Sequence, residues 1–282
     1  MKKLIITGCN GQLGREMNKY YAGSTEFELV NTDVGELDIT NIDAVMALAR
    51  EVKPYAIVNC AAHTAVDRCE TEADLAYKIN AIGPRNLAIA ATETGAKMVQ
   101  ISTDYVLKGQ DARPYIEFDP VGPDSMYGKT KLAGENFVKE FANRYYILRT
   151  AWLYGDGKNF VKTMLRLSAD HDEVTVVNDQ FGTPTSTCEL AKAIGTLLPT
   201  DNYGLFHATC EGDTNWATFA EEIFRMAGKN TRVKGCTTEE YNAPAPRPKN
   251  SILENYMLKL TTDFMFADWH DALAEYLKTL EM

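Results

Sequence analysis

Lys3-Leu4-Ile5-Ile6-Thr7-Gly8-Cys9-Asn10-Gly11-Gln12-Leu13-Gly14 stands near the start of the chain, and the reading of the fold turns on it. Leu4, Ile5 and Ile6 form a short continuous apolar run, the pattern of a parallel strand buried on both faces. A turn with Gly8, Gly11 and Gly14 spaced as GxxGxxG follows. Leu13, Met17 and Tyr20 then return at helical spacing over residues 12–21. Strand, glycine turn and helix in this order suit a dinucleotide pyrophosphate. The turn needs a residue free to take positive φ, and the phosphates need close backbone approach and the open N–H groups of a helix N-terminus. On that reading Gly8, Asn10, Gly11, Gln12, Leu13 and Gly14 bind the cofactor. The spacing differs by one residue from the commonest dinucleotide fingerprint, and a purely structural turn is the plainer alternative.

Outward from this stretch, strand and helix patterns alternate. Strands are expected at 28–32, 56–59, 98–101 and 145–148, and helices at 44–52, 72–94 and 126–141. Such alternation implies parallel strands joined by crossover helices, hence an α/β doubly wound parallel sheet of Rossmann type. Beyond residue 150 the rhythm loosens. Helices are expected at 160–168, 188–197, 216–227 and 269–280, with a turn-rich stretch from Asn242 to Pro248. The expected organisation is a dinucleotide-binding core over 1–150 and a small C-terminal substrate-binding lobe over 151–282, with some segments returning to the core.

Bulk properties narrow the class. The 282 residues are 45% hydrophobic and 24% charged, ordinary for a globular chain, and the formal charge is −10. A net acidic chain is a poor nucleic-acid binder, because phosphate neutralisation needs clustered Lys and Arg. A phosphorylated small molecule needs only a local donor cluster. Six cysteines lack any C-x-x-C spacing, which reads as reduced structural thiols and a cytoplasmic location. The apolar run at the N-terminus is too short for a signal peptide, and no stretch reaches membrane-span length, so no membrane partner is expected.

Asp33 ends the second strand, about twenty residues past the turn, where a carboxylate accepts from an adenosine 2′-hydroxyl and repels a 2′-phosphate. Arg15 pulls toward a 2′-phosphate, so NADH is expected to be favoured slightly, with both NADH and NADPH accepted. Asp38 and Ile39 fall where an adenine edge would sit, and Ala61, Ala62 and His63 close the third strand with mostly small side chains. Tight packing explains those small residues equally well.

Tyr127-Gly128-Lys129-Thr130-Lys131 gives Tyr-x-x-x-Lys. Positions i and i+4 share a helix face, so hydroxyl and ammonium point into one pocket. A free tyrosine has a pKa of about 10; a neighbouring ammonium stabilises tyrosinate and makes the phenol a usable acid. With 14 tyrosines the pattern is cheap, and it recurs at Tyr154 and Lys158. There Gly155 and Gly157 break any helix. The loop after the fourth strand reads Ser102-Thr103-Asp104-Tyr105, and a Thr103 hydroxyl there is placed to polarise a carbonyl or merely to cap the strand end. Asn80, on the middle helix, is placed to fix backbone or water near Lys131, or is a structural amide.

Taken in order, Gly8/Gly11/Gly14, Cys60-Ala61-Ala62-His63-Thr64-Ala65-Val66-Asp67, Ser102-Thr103-Asp104-Tyr105-Val106, Tyr127 to Lys131, Arg149-Thr150-Ala151-Trp152-Leu153-Tyr154 and Arg247-Pro248-Lys249-Asn250-Ser251 span nearly the whole chain. The set resembles the dTDP-4-dehydrorhamnose reductase family of extended short-chain dehydrogenases. The resemblance implies reduction of the 4-keto group of dTDP-4-dehydro-L-rhamnose to dTDP-L-rhamnose. It implies that Tyr127 protonates the oxygen, Lys131 tunes it and anchors the nicotinamide ribose, and Thr103 orients the carbonyl. It further implies a sugar-nucleotide site lined by Val66, Asp104, Tyr105, Trp152, Arg247 and Asn250. Leu107 departs from the family's usual Phe. Some members dimerise around a divalent metal held by glutamates, which points to Glu16, Glu189 and Glu275, to Mg2+ and to a homodimer. Two other readings stay open. A nucleotide-sugar dehydratase shares these motifs but needs a base, usually Glu, where Tyr105 stands; a non-catalytic regulatory homologue would act by binding a partner.

Overall fold

The computed structural model describes residues 1–280. Six parallel strands form the central sheet: β1 (Lys2–Thr7), β2 (Phe27–Thr32), β3 (Ala56–Asn59), β4 (Lys97–Thr103), β5 (Tyr145–Thr150) and a sixth, Gly204–His207. Their spatial order is Gly204–His207, β5, β4, β3, β1, β2, with every pairing parallel. The chain steps from β1 outward to β2 and then back past β1 to β3. That reversal opens a crevice at the carboxyl ends of β1 and β3, where doubly wound sheets bind ligands.

The apolar run in β1 is divided by strand geometry, since successive side chains face opposite sides. Leu4 and Ile6 enter one core with α1 (Gln12–Tyr20), α8 (Thr187–Leu197) and later helices. Ile5 enters the opposite core, with α2 (Ile42–Val52) and α5 (Gly83–Thr94). All three are at most 2% exposed, so a continuous apolar triplet is what a strand sandwiched between helix layers requires. The α2 helix starts on Asn41, whose side chain accepts from the Asp43 and Ala44 N–H groups, and ends on left-handed Lys53 before Pro54.

The helix expected over 72–94 is not continuous. It comprises α4 (Ala73–Tyr77), a π-helical turn over Lys78–Ile82, and α5, preceded by a separate α3 (Val66–Thr71). Pro84 supplies the reason: it offers no N–H, and its ring collides with the carbonyl four residues back. The widened turn relieves this and presents Asn80 inward, 1% exposed. The α6 helix (Met126–Phe141) matches the pattern read from sequence, capped by Ser125, whose hydroxyl accepts from the Gly128 N–H.

Beyond β5 the chain adds α7 (Phe160–Leu167), α8, and α9 (Trp216–Met226). It also returns to the sheet through Gly204–His207, in register with Tyr146–Arg149. A parallel pair, Glu173–Val177 with Arg232–Cys236, lies outside the main sheet and was not expected from the sequence. Among the described residues no helix is long and apolar enough to cross a membrane.

Candidate active site

The glycine turn after β1 is folded tightly on itself. Gly8 adopts φ 64°, and a Cβ there would lie 2.7 Å from the Ala61 backbone beyond β3. A Cβ on Gly14 would lie 2.3 Å from the Gly8 carbonyl oxygen. Both positions therefore exclude a side chain. Gly11 begins α1 with no side-chain cap, which leaves the first N–H groups of the helix open to an anion.

Two cavities flank this turn. One, of about 390 Å³, is lined by Gly8, Asn10, Gly11, Asp33, Asp38 and Ile39, with Ala61 and Ala62. The other, of about 620 Å³, brings Gly11, Gln12 and Leu13 together with Thr103, Tyr127 and Lys131. It also holds Val66, Asp104, Tyr105 and Trp152. Gly11, Cys60, Ala61 and Ala62 line both, so the two are halves of one trough across the carboxyl ends of β1 and β3. A dinucleotide would fit this shape, and the bare glycine turn would hold its pyrophosphate.

At the outer end, the Asp33 carboxylate accepts from the Asn10 N–H at 3.0 Å and the Val34 N–H at 2.8 Å. Asp38 accepts from the backbone N–H and hydroxyl of Thr40. Arg15 faces Asp156 at 3.7 Å and lines neither cavity. His63 lies beside the trough: its N–H donates to Asn80 Oδ1 at 2.8 Å, and its ring Nε2 lies 3.1 Å from Glu72. The Asn80 amide donates to the His63 carbonyl and to the Thr130 hydroxyl. It thus ties the end of β3 to α6 one residue before Lys131.

At the inner end, a Cβ on Gly128 would lie 2.2 Å from the Tyr105 carbonyl. This bare position lets α6 press against the turn after β4 and carry Tyr127 to Thr103. The Tyr105 and Tyr127 rings meet edge to face at 5.4 Å. Burial pushes the Tyr127 phenol well above the usual tyrosine range, while a hydrogen bond with Thr103 opposes that rise. Lys131 is 4% exposed, and its ammonium donates to the Ile101 carbonyl at 2.6 Å. Burial lowers its pKa to about 8, against the pull of Glu135. Tyr127 and Lys131 line the same cavity, but burial keeps the phenol protonated and does not bring its pKa toward neutrality, contrary to the expectation from the Tyr-x-x-x-Lys spacing.

The sequence reading missed the support behind Lys131. Glu135, one helical turn on, is fully buried and pairs with Arg149 through two contacts of 2.8 Å. It also accepts from the Ser102 hydroxyl at 2.6 Å. Burial alone would raise the Glu135 carboxyl, but Arg149 outweighs it and holds the pKa below the usual range. Trp216 was also missed. It stacks on Trp152 at 3.6 Å and 11°, and both indoles line the larger cavity. Trp152 holds a left-handed φ of 49°, uncommon for a bulky residue and typical of constrained sites.

Arg247 and Asn250 line neither half of the trough. The Arg247 guanidinium pairs with Asp67 at 3.1 Å. The Asn250 amide donates to the Asp111 and Arg113 carbonyls, closing a loop. Glu16, Glu189 and Glu275 do line one separate cavity, of about 700 Å³. However, each lies against its own lysine, namely Lys19, Lys192 and Lys278. Glu189 also accepts from the Ala267 N–H. Among the described residues no group of three His, Cys, Asp or Glu is placed to hold a metal ion. This holds within one chain, whereas the expected Mg2+ is one shared between two copies at a dimer interface.

Comparison with known proteins agrees with this geometry. The family model described as RmlD substrate binding domain matches residues 1–282. A dTDP-4-dehydrorhamnose reductase of Streptomyces griseus is 43% identical, over 98% of this chain and 93% of the relative. A crystal structure of a dTDP-4-dehydrorhamnose reductase from Clostridium acetobutylicum is 57% identical with a TM-score of 0.98, covering 99% of this chain and 100% of that one. A dTDP-4-dehydrorhamnose reductase from Bacillus anthracis, solved in complex with NADP, is 44% identical with a TM-score of 0.97, at the same coverage. A UDP-glucose 4-epimerase from Thermus thermophilus, 17% identical with a TM-score of 0.83, shares the fold alone. With its match from first residue to last and the glycine trough beside Tyr127 and Lys131, this chain belongs to the RmlD substrate binding domain family, an NAD(P)H-dependent reductase group built on a doubly wound sheet.

Proposed function

We propose that this protein reduces the 4-keto group of dTDP-4-dehydro-L-rhamnose to dTDP-L-rhamnose with NADH or NADPH. The observation that carries the reading is the convergence of Thr103, Tyr127 and Lys131 with Gly11, Gln12 and Leu13 in one cavity. When bound, the dinucleotide supplies a hydride to the carbonyl carbon. The chain's own residues manage the oxygen. Tyr127 donates its phenolic proton to that oxygen as negative charge develops. The Lys131 ammonium stabilises the tyrosinate left behind. Thr103 holds the carbonyl from the side of β4. Val66, Asp104, Tyr105 and Trp152 are assigned to the sugar nucleotide, with Trp152 offering a flat wall to a sugar or base face. Arg247 and Asn250 are assigned to shaping the loop around that site.

In this reading residues 1–150 hold the dinucleotide and residues 151–282 supply the far wall of the trough. A cytoplasmic location belongs to the same proposal and is supported by six free cysteines. Reduction is favoured over dehydration because Tyr105, a phenol pushed up by burial, stands where a dehydratase needs a base. The test is oxidation of NADPH and of NADH by the purified protein with dTDP-4-dehydro-L-rhamnose. Turnover giving dTDP-L-rhamnose supports the proposal. Absence of turnover, with tight capture of another protein instead, turns the reading to a regulatory homologue.

A further inference from the structure

A threonine hydroxyl carries one proton and two lone pairs. Thr103 Oγ1 donates that proton to Asp104 Oδ1 at 2.7 Å. A lone pair accepts from the Tyr105 N–H at 3.3 Å, and the Tyr127 phenol lies within hydrogen-bonding reach of the same hydroxyl. Polarising a ketone oxygen requires the same single proton. An ionised carboxylate only accepts, so while Asp104 is ionised the two demands compete. A protonated Asp104 is a donor. It gives its own proton to Thr103 Oγ1, and the Thr103 proton is freed to turn toward the substrate.

We propose that Asp104 is a positioning residue acting through Thr103, and that its carboxyl must carry a proton for Thr103 to donate to the substrate carbonyl. The proposal rests on the reductase reading. It changes no stoichiometry: hydride and the Tyr127 proton complete the alcohol, Tyr127 regains a proton from solvent, and Asp104 keeps its own throughout.

The surroundings of Asp104 suit the neutral form. The side chain is 3% exposed, and Oδ2 has no hydrogen-bond partner among the described residues. The Ser251 hydroxyl lies near enough to moderate the carboxyl without meeting Oδ2 in hydrogen-bonding geometry. The ionisable groups around this turn are Tyr105 beside it, Tyr127 on α6, Asp67 and Cys69 on α3 and Arg247 on the C-terminal segment. Arg247, the nearest guanidinium of that set, is paired with Asp67. A buried carboxylate is costly. Burial raises Asp104 to about 6, outweighing the Ser251 and Thr103 hydroxyls and the Asp104 and Tyr105 backbone N–H groups, which hold the rise down.

The test measures kcat/KM for dTDP-4-dehydro-L-rhamnose from about pH 5 to 8, with saturating NADPH, in wild type, Asp104→Asn and Thr103→Val. The wild type should step down about tenfold or more as pH rises through the Asp104 pKa, the loss expected of a misdirected oxyanion donor. Asp104→Asn, whose amide donates to Thr103 at every pH, should lose that step whatever its absolute rate. Thr103→Val should be slow and lack the step as well. A step that survives in Asp104→Asn, or a wild type without one, overturns the proposal. Infrared titration of wild type minus Asp104→Asn isolates this carboxyl from the other acids, including buried Glu117, whose pKa burial also raises. A protonated C=O band at pH 5 that vanishes by about pH 7 is expected, and its absence at pH 5 also overturns the proposal. A wild type that binds NADPH but turns over no keto sugar instead sinks the reductase reading, and the infrared titration still reports on Asp104.

Discussion

The Lys131 ammonium donates to the backbone carbonyl of Ile101 at 2.6 Å, on the strand that ends in Thr103. One contact therefore fixes the α6 helix, which carries Tyr127, against the strand that carries the second hydroxyl. Burial has lowered Lys131 to about 8, so the ammonium loses its proton as pH rises through that value. The rate of reduction should fall across that range. Lys131→Met should lower kcat by about a hundredfold and abolish this limb, and Lys131→Arg should move it upward. The pH profile of kcat in the three proteins checks this; a limb unchanged in Lys131→Met would assign it to another group.

Glu135 and Arg149 form an ion pair in which neither side chain exceeds 1% exposure. Removing one partner leaves a buried charge unmatched, at a cost of about 3–5 kcal/mol. Glu135→Gln is expected to show that loss in urea unfolding. The double replacement Glu135→Leu with Arg149→Met should recover most of it, because two well-packed apolar groups bury no charge. Glu135→Gln should also move the Lys131 limb to lower pH, since the glutamate pulls that pKa upward. Stability or pH profile unchanged in the single variant would refute the role of the pair.

The glycine turn makes a steric demand that a single methyl group tests. A Cβ on Gly14 would lie 2.3 Å from the Gly8 carbonyl oxygen and 2.6 Å from Cys9 Cα. Gly14→Ala must displace backbone on both sides, and the open N–H groups of α1 move with it. NADPH affinity should fall by about tenfold or more, with stability down by about 1–3 kcal/mol. Gly23→Ala is the control: its positive φ adds strain, but nothing lies within 4 Å of the added Cβ, so it should bind NADPH as the wild type does. Fluorescence titration of both variants with NADPH decides the matter.

How far the fold could be read from residues alone follows from how local each signal was. Leu4-Ile5-Ile6 announced a doubly buried strand because both helix layers draw on the same triplet. The α6 helix was legible because helical patterning is a local signal, and the structure adds the Ser125 cap at its start. The break in the helix over 72–94 was not read, although Pro84 marked it, because the apolar pattern continues across the widened turn. Gly204–His207 is four residues with no period of its own, and its place depends on the edge that β5 leaves open. In the site, Tyr127, Lys131 and Thr103 stood out by spacing and loop position. Glu135 looked like any surface helix glutamate until Arg149 met it across the fold, and Trp216 joined Trp152 only through the packing of α9.

His207 links the interior to acid stability. Its ring is fully buried, with Nδ1 near the Tyr115 and Glu254 carbonyls. Burial lowers its pKa to about 3, against about 6.5 in the unfolded chain. Between those values the unfolded state holds a proton that the native state lacks. Stability from this group is therefore complete above about pH 6.5 and is lost as pH falls, by ~1.4 kcal/mol per pH unit. His207→Asn should be less stable than wild type at pH 7, and that gap should narrow steadily down to about pH 4. Urea unfolding at each pH measures the gap, and a constant gap would contradict the assignment.

The most direct check on the chemistry is a single experiment with deuterium at the transferring position of NADPH, using wild type and Tyr127→Phe on dTDP-4-dehydro-L-rhamnose. The wild type should give dTDP-L-rhamnose with deuterium at sugar C4. Tyr127→Phe should bind NADPH with comparable affinity yet turn over at least about a hundredfold more slowly. Label appearing elsewhere in the product, or a phenylalanine variant that reduces the sugar at the wild-type rate, would contradict proton delivery by this phenol.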